Sequence, residues 1–208
     1  MFSRPLFALL AIVPALALSD VLDGTSYVPR ASDTYVPANA GACCIGEYYS
    51  LPNVYMAQTF AATGKIPKSI TLGLVNNRPS DVPPAPFRFR LLLTEVVHLG
   101  FLPGRILWES ADLAIPADRL GWHEVTYDIR GIQLQVGGEY AWILDTNTTR
   151  DGQQDAGGFQ ANLEINPGVG RLFMAAATGA GRAVDFTQTW YYVNMSAAFL
   201  LRYSGPAR

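Results

Sequence analysis

The residues best suited to chemistry are the oxygen-bearing side chains that follow the apolar run ending at Leu144. The predicted metal ligands are Asp145, Asn147, Asp151 and Asp155. Ca²⁺ takes about six to eight oxygen ligands, which include carboxylates and side-chain amides. The segment does not follow the EF-hand pattern, because Arg150 stands where that loop needs glycine and Ala156 where it needs glutamate. We therefore expect either a structural Ca²⁺ site or an ordinary solvated loop.

Aromatic residues form a second set with a chemical use. The predicted ligand-binding residues are Trp190, Tyr192, Tyr48 and, from the polar loop, Arg150. Sugars present flat C–H faces that stack on aromatic rings, and Trp and Tyr combine an apolar ring with a polar group. Consecutive residues of a strand point to opposite faces, so one ring of the run around Tyr191 projects away from the core unless both faces are covered. Packing in the core is the alternative, and we expect it for Tyr140 and Trp142.

The only two cysteines are neighbours, Cys43 and Cys44. In an oxidising compartment they can form a strained vicinal disulfide, pair with another chain, or stay free and buried. We assign a disulfide to this pair and keep the other two states open. A closed zinc site is disfavoured, because it needs four ligands and no further Cys or His lies nearby.

Catalytic motifs are absent from the sequence. The chain has two histidines, His98 and His123, which excludes a three-histidine zinc site. His123-Glu124 lacks the second histidine of the metalloprotease motif, and no Gly-x-Ser-x-Gly elbow or phosphate-binding loop occurs. A Ser-His-Asp triad cannot be assigned from spacing, because triads are recognised by geometry.

The elements that would position these residues are β-strands. Apolar and polar residues alternate or form short β-rich runs, with Gly and Pro between them, and no segment keeps a 3.6-residue period. The predicted strands are Val54–Ala61, Ser69–Val75, Phe87–Val97, Arg105–Glu109, Phe159–Ile165, Leu172–Ala177, Val184–Tyr192 and Met195–Tyr203, besides those of the segment that begins at Trp122. This pattern predicts an all-β fold, an antiparallel β-sandwich of about nine strands with a jelly-roll-like arrangement.

The segment Trp122–Asp145 is the strongest local signal. Period-two alternation begins at Trp122, Gly137-Gly138 suits a tight turn, and the run from Glu139 is apolar on both faces. We expect a hairpin whose second strand is buried on each side.

Composition indicates one exported domain. The chain has 208 residues, 50% hydrophobic and 15% charged, with a formal net charge of −2, which suits one β domain and gives no support for nucleic-acid binding. Residues 1–19 carry Arg4, an apolar run and small residues before a cleavage site, as in a secretory signal peptide. We expect an extended arm over 20–46, a sandwich over 47–208, no transmembrane segment, and a secreted protein, extracellular or periplasmic.

Short blocks in the middle of the chain resemble a known group of domains. The blocks are Ala57–Phe60, Ile70–Leu74, Phe89–Leu93, Trp122–Asp128 and Gly131–Tyr140. They are similar to blocks of bacterial secreted jelly-roll modules, which resemble carbohydrate-binding and galactose-binding-like domains of proteins with C-terminal sorting anchors. The apolar tail of an anchor is missing here. The resemblance implies a non-catalytic module, in which a structural Ca²⁺ is frequent.

The leading hypothesis is therefore a secreted, non-catalytic module that binds an extracellular glycan. A structural or adhesive surface protein, acting through assembly with Cys43 and Cys44 linking chains, is the alternative. A hydrolase without a recognisable motif is the third hypothesis.

Overall fold

A computed structural model describes residues 12–13, 21–22, 27–46, 54–76, 85–97, 103–118, 121–146, 156–164, 170–176 and 189–204. Within these ranges the regular secondary structure consists of strands alone. The fifteen strands are β1 (Ile12–Val13), β2 (Thr34–Val36), β3 (Ala40–Gly46), β4 (Val54–Ala61), β5 (Pro67–Asn76), β6 (Phe87–Val96), β7 (Pro103–Glu109), β8 (Leu113–Ile115), β9 (His123–Asp128), β10 (Glu139–Asp145), β11 (Ala156–Asn162), β12 (Leu172–Ala176), β13 (Tyr191–Val193), β14 (Ser196–Ala197) and β15 (Phe199–Tyr203).

Strand pairing is antiparallel and builds two sheets that pack against each other. The main hydrogen-bonded order is β2-β15-β5-β11-β3-β4-β10-β6-β7; β1, β8, β9, β12 and β14 pair with members of this series, and β13 pairs with β12. A single residue pair, Gly46 with Val54, joins β3 to β4, and we take the series to divide there. The all-β antiparallel sandwich that the sequence predicts is confirmed.

The core lies between the inner faces of the two sheets. Trp142 of β10 and Phe60 of β4 both contact Phe199 of β15, with ring centroids 5.7 and 5.9 Å apart. These three rings are almost wholly buried, and burying each aromatic side chain contributes roughly 2–3 kcal/mol. The core therefore holds strands from the middle and the end of the chain together.

Strand β10 is buried on both faces, as its sequence predicts. Tyr140, Trp142 and Leu144 face the main core, whereas Ala141 and Ile143 belong to a second apolar cluster on the outer side of the same sheet. On its edges β10 pairs with β4 and with β6. β10 therefore has a paired strand on each edge and an apolar cluster on each face.

The predicted hairpin is wrong. Strand β9 pairs with β5, and β10 pairs with β4 and β6, so the two strands on either side of the turn are not hydrogen-bonded partners. Gly137 does adopt a positive φ of 79°, and its amide donates to the Ala62 carbonyl at 2.8 Å. The turn is therefore hydrogen-bonded to the residue that follows β4, and it does not close a hairpin between β9 and β10. Trp122 is half-buried and lies against Gly41, where an added Cβ would be 2.3 Å from its Cζ2.

Part of the segment that the sequence assigns to an arm lies in the sheets. Strand β2 pairs with β15, and β3 pairs with β11. Val36, Ala42 and Ile45 are core residues. Of the predicted signal peptide, only Ile12 and Val13 are described, and they pair with Ala42 and Gly41 of β3.

Candidate functional site

Strand β13 presents two neighbouring tyrosines at the edge of a sheet. Tyr191 is 60% exposed and Tyr192 47% exposed. Trp190, just before them, is buried and packs against Tyr55 with ring centroids 6.4 Å apart. The structure therefore separates the predicted aromatic run into one packed indole and two accessible phenol rings.

Tyr192 has polar neighbours that could bind a hydroxylated ligand. Its hydroxyl donates to Asn194 Oδ1 at 3.3 Å, and the Arg171 guanidinium lies 5.8 Å from its ring centroid. The edge of the Phe173 ring packs against it at 6.0 Å. We call Arg171, Tyr191, Tyr192 and Asn194 the aromatic edge. It combines flat apolar faces with donors and acceptors, the combination that sugar binding needs.

Arg171 is held at this edge by backbone contacts with β4. Thr59 N donates to the Arg171 carbonyl at 2.9 Å, and Arg171 N donates to Thr59 Oγ1 at 2.7 Å. Gly170 precedes it with φ +100°, and a Cβ there would lie 1.9 Å from the Thr59 carbonyl oxygen. Only glycine suits this position, because the conformation and the close approach both exclude a side chain.

A concave region lies on the other sheet, near the last described residues. A cleft of about 560 Å³ is lined by Tyr27, Val28, Arg30, Lys68, Arg202, Tyr203 and Ser204. We call it the basic cleft, since Arg30, Lys68 and Arg202 are all cationic. Ligand sites in proteins usually enclose roughly 300–1,000 Å³, so the cleft has a suitable size.

One wall of the basic cleft is a fixed hydrogen-bond network around Asp33. Arg30 donates through Nη2 to Asp33 Oδ1 at 2.9 Å and through Nε to Oδ2 at 3.2 Å, and the Tyr27 hydroxyl donates to Oδ2 as well. Burial acts to raise the pKa of Asp33, but the hydrogen bonds from Arg30 and Tyr27 outweigh it and hold the pKa below its usual value. Burial, together with the neighbouring Asp33, raises the pKa of Tyr27. Near neutral pH Asp33 is therefore ionised and Tyr27 is a neutral hydroxyl.

Two further cations, Arg202 and Lys68, line the cleft. The Arg202 guanidinium stacks over the Tyr27 ring at 5.0 Å from its centroid. Neither Arg202 nor Lys68 forms an ion pair with any carboxylate in the part of the chain that the structure describes. The surface of the cleft is thus positively charged, with the carboxylate of Asp33 lying buried behind Arg30.

Asp145 is the one predicted metal ligand within the described residues. It is wholly buried at the end of β10, and Arg90 Nη2 donates to its Oδ2 at 2.8 Å. Arg90 also pairs with Glu109. The ion pair with Arg90 neutralises the charge that a cation would use, although a carboxylate can accept further contacts. No group of three metal-ligating side chains occurs in the described ranges.

The remaining predicted site residues fall outside what the structure describes. They are Tyr48, Asn147, Arg150, Asp151 and Asp155. The backbone of Cys43 and Cys44 runs in β3, but their side chains are outside the description too. The calcium site and the disulfide therefore stay predictions.

The described part of the chain offers no assembled catalytic pair around His123. Its Nε2 is buried and has no hydrogen-bond partner there. The neighbouring carboxylate, Glu124, accepts from Leu22 N at 2.6 Å. A base needs contact with both a nucleophile and an orienting group, and His123 shows neither contact.

Comparison with known proteins gives no assignment. No protein-family model matches the chain, and neither a curated protein nor a solved structure similar to it was found. The resemblance to secreted carbohydrate-binding modules stays a prediction. None of the described segments forms a helix long and apolar enough to cross a membrane.

Sequence reasoning names Tyr192, which the structure shows to be exposed, but it does not predict the basic cleft. The cleft is built from three segments far apart in the chain, around Tyr27, Lys68 and Arg202. A weak signal existed in β15, where Arg202 breaks an otherwise apolar strand. Only the pairing of β15 with β5 shows what Arg202 stands next to.

Proposed function

We propose that this protein is a secreted, non-catalytic β-sandwich that binds an extracellular glycan at the aromatic edge. The observation that carries the proposal is the exposure of Tyr192 on β13, with Arg171 and Asn194 in contact with it and the exposed Tyr191 next to it in the chain. Large exposed aromatics on a sheet edge need an explanation, because burying them in the core would stabilise the fold by roughly 2–3 kcal/mol each.

Sugar chemistry suits this edge for two reasons. A pyranose ring stacks its C–H face on a phenol ring, and its hydroxyls then reach donors and acceptors around the ring. Tyr192 already has such groups nearby, with the Asn194 amide at its hydroxyl and the Arg171 guanidinium over its ring. Backbone contacts with Thr59 position Arg171 before any ligand arrives, which lowers the entropy lost on binding.

Secretion rests on the sequence of residues 1–19, whose charge and apolar run fit a signal peptide. Export would place the aromatic edge where extracellular polysaccharides occur. The sandwich supplies the scaffold, and the function belongs to the edge residues rather than to the fold.

The experiment is a glycan array followed by titration calorimetry on the best ligands. Tyr192→Ala removes the ring, and we expect about a tenfold or greater loss of affinity, since a stacking contact contributes roughly 1–2 kcal/mol. Tyr192→Phe is the matched control, because it keeps the ring and loses only the hydroxyl. We expect its affinity to fall by about threefold or less.

Two results would contradict the proposal. One is the absence of binding to any glycan on the array. The other is binding that both Tyr191→Ala and Tyr192→Ala leave unchanged, which would place the ligand elsewhere. Trp190→Ala is a poor test, because the buried indole supports Tyr55 and its removal would leave a cavity.

A further inference from the structure

The basic cleft has features that the aromatic edge does not explain. It is a concavity of about 560 Å³ on the sheet that contains β2, β5 and β15. Its lining brings three cationic side chains to one place, in a chain whose formal net charge is −2. In an acidic protein such a concentration of positive charge is a specific feature of this surface.

Arg30 is a fixed part of this surface. Its guanidinium is held by two contacts with Asp33 and by a hydrogen bond from Nη2 to the Tyr203 carbonyl at 3.3 Å. Its side chain nevertheless stays 55% exposed. Asp33 neutralises Arg30, so the free positive charge of the cleft comes from the other two cations.

Arg202 and Lys68 supply that free charge. Arg202 lies across from Ser69 in the β15–β5 pair, and it lines the same cleft as Lys68. Stacking on Tyr27 orients its planar guanidinium. A planar fork beside an ammonium group matches the geometry of a carboxylate or a sulfate.

The neutral lining favours a saccharide as the carrier of that anion. Tyr27 provides an aromatic ring, and Ser204 provides a hydroxyl. A ligand with one charged group and several hydroxyls would use all three kinds of contact.

We propose that the basic cleft binds the negatively charged group of an acidic saccharide, a uronate carboxylate or a sugar sulfate, between Lys68 and Arg202. The saccharide part rests on the proposed function, whereas the anion part rests on the cleft alone. The aromatic edge and the basic cleft are then two separate sites of one glycan-binding protein.

The experiment measures calorimetric affinity for three oligosaccharides of equal length: a polyuronate, a sulfated one and a neutral one. We expect one of the two acidic probes to bind and to lose affinity as NaCl rises from about 50 to 300 mM, because salt screens exposed charges. Arg202→Gln should weaken it about tenfold or more, and Lys68→Gln about threefold or more, since charge-assisted contacts are lost.

Arg105→Gln is the matched control. It removes the same charge from β7, where Arg105 is 73% exposed and pairs with Glu95 at 2.8 Å. We expect it to bind like the parent protein. Thermal melting checks that Arg202→Gln still folds, and Lys68→Gln gives an independent reading because Lys68 is exposed and forms no ion pair with the described residues.

The outcomes separate this inference from the proposed function. Preference for the uronate or for the sulfate identifies the anion and supports the cleft. Equal loss in Arg105→Gln and Arg202→Gln overturns it, because the effect is then one of net charge. Neutral-glycan binding that depends on Tyr192, with no acidic probe bound, overturns the cleft and leaves the proposed function standing. If no probe binds, the cleft inference falls, and the glycan array alone decides the proposed function.

Discussion

Gly170→Ala tests whether the close contact between Gly170 and β4 positions the aromatic edge. A Cβ at Gly170 would lie 1.9 Å from the Thr59 carbonyl oxygen and 2.4 Å from its carbonyl carbon. Real contacts of this kind are about 3.4 Å or longer, so the two backbones would have to separate by more than an ångström.

The expected loss of stability follows from the hydrogen bonds that this separation would break. Three hydrogen bonds join Thr59 and Arg171: Thr59 N to the Arg171 carbonyl, Arg171 N to Thr59 Oγ1, and Thr59 Oγ1 to the same carbonyl. Losing two of them costs about 2 kcal/mol. The left-handed φ of +100° at Gly170 adds about 1–2 kcal/mol for an alanine. We expect Gly170→Ala to lower the free energy of unfolding by about 3–4 kcal/mol.

The assay is urea denaturation, with thermal melting as a second measure. For a chain of this size the loss corresponds to a melting temperature lower by about 6–16 °C. Gly131→Ala is the matched control, because Gly131 has φ +80° and open space around its Cβ position. It should lose only the conformational part, about 1–2 kcal/mol. Equal losses in the two variants would refute the reasoning, since the contact with Thr59 would then contribute nothing.

Three further predictions concern two ion pairs and the proposed Ca²⁺ segment. Asp145→Asn should destabilise the protein by about 2–4 kcal/mol in urea titrations, because it removes the buried carboxylate that pairs with Arg90. Asp128→Asn, whose pair with Arg130 is exposed, should change stability by less than about 0.5 kcal/mol, and similar losses in the two variants would contradict a special role for the buried pair. Asp33→Asn should destabilise the protein at pH 7, and because the pKa of Asp33 is lowered in the folded state, the difference between variant and parent should shrink as pH falls below about 3.8; a difference that stays constant down to pH 2 would contradict the Arg30–Asp33 contact. If the segment after Asp145 holds Ca²⁺, a chelator should lower the melting temperature, and an unchanged midpoint would remove the calcium prediction.

The elements that the sequence predicts best are those whose local pattern determines their environment. Strands β4 and β10 begin and end where the pattern places them, at Val54–Ala61 and Glu139–Asp145. The burial of Trp142 and Tyr140 follows from the same apolar run. An apolar run without interruption identifies a central strand whichever partners it has.

The local sequence pattern does not show which strands pair with one another. Gly137 correctly predicts a turn, but a turn does not state whether the flanking strands pair with each other or with distant ones. The same limit applies to Arg90. The alternating sequence around it suggests a solvated side chain, but its cross-strand neighbour is the buried Asp145. The basic cleft is the extreme case, since Lys68 and Arg202 meet only through the β5–β15 pairing.

The pairing of β2 with β15 has a consequence for the order of events during synthesis. Val36 lies opposite Phe199, so β2 cannot form this pairing until β15 has been synthesised. The ribosome has released almost the whole chain before this sheet can close, and long-range strand pairing is slow in any case. A polypeptide that stays open this long can still be threaded through a translocation channel, whereas one that folds from its N-terminal end would block it. If the protein is exported as proposed, the chain would cross the membrane unfolded, and this sheet would close on the far side.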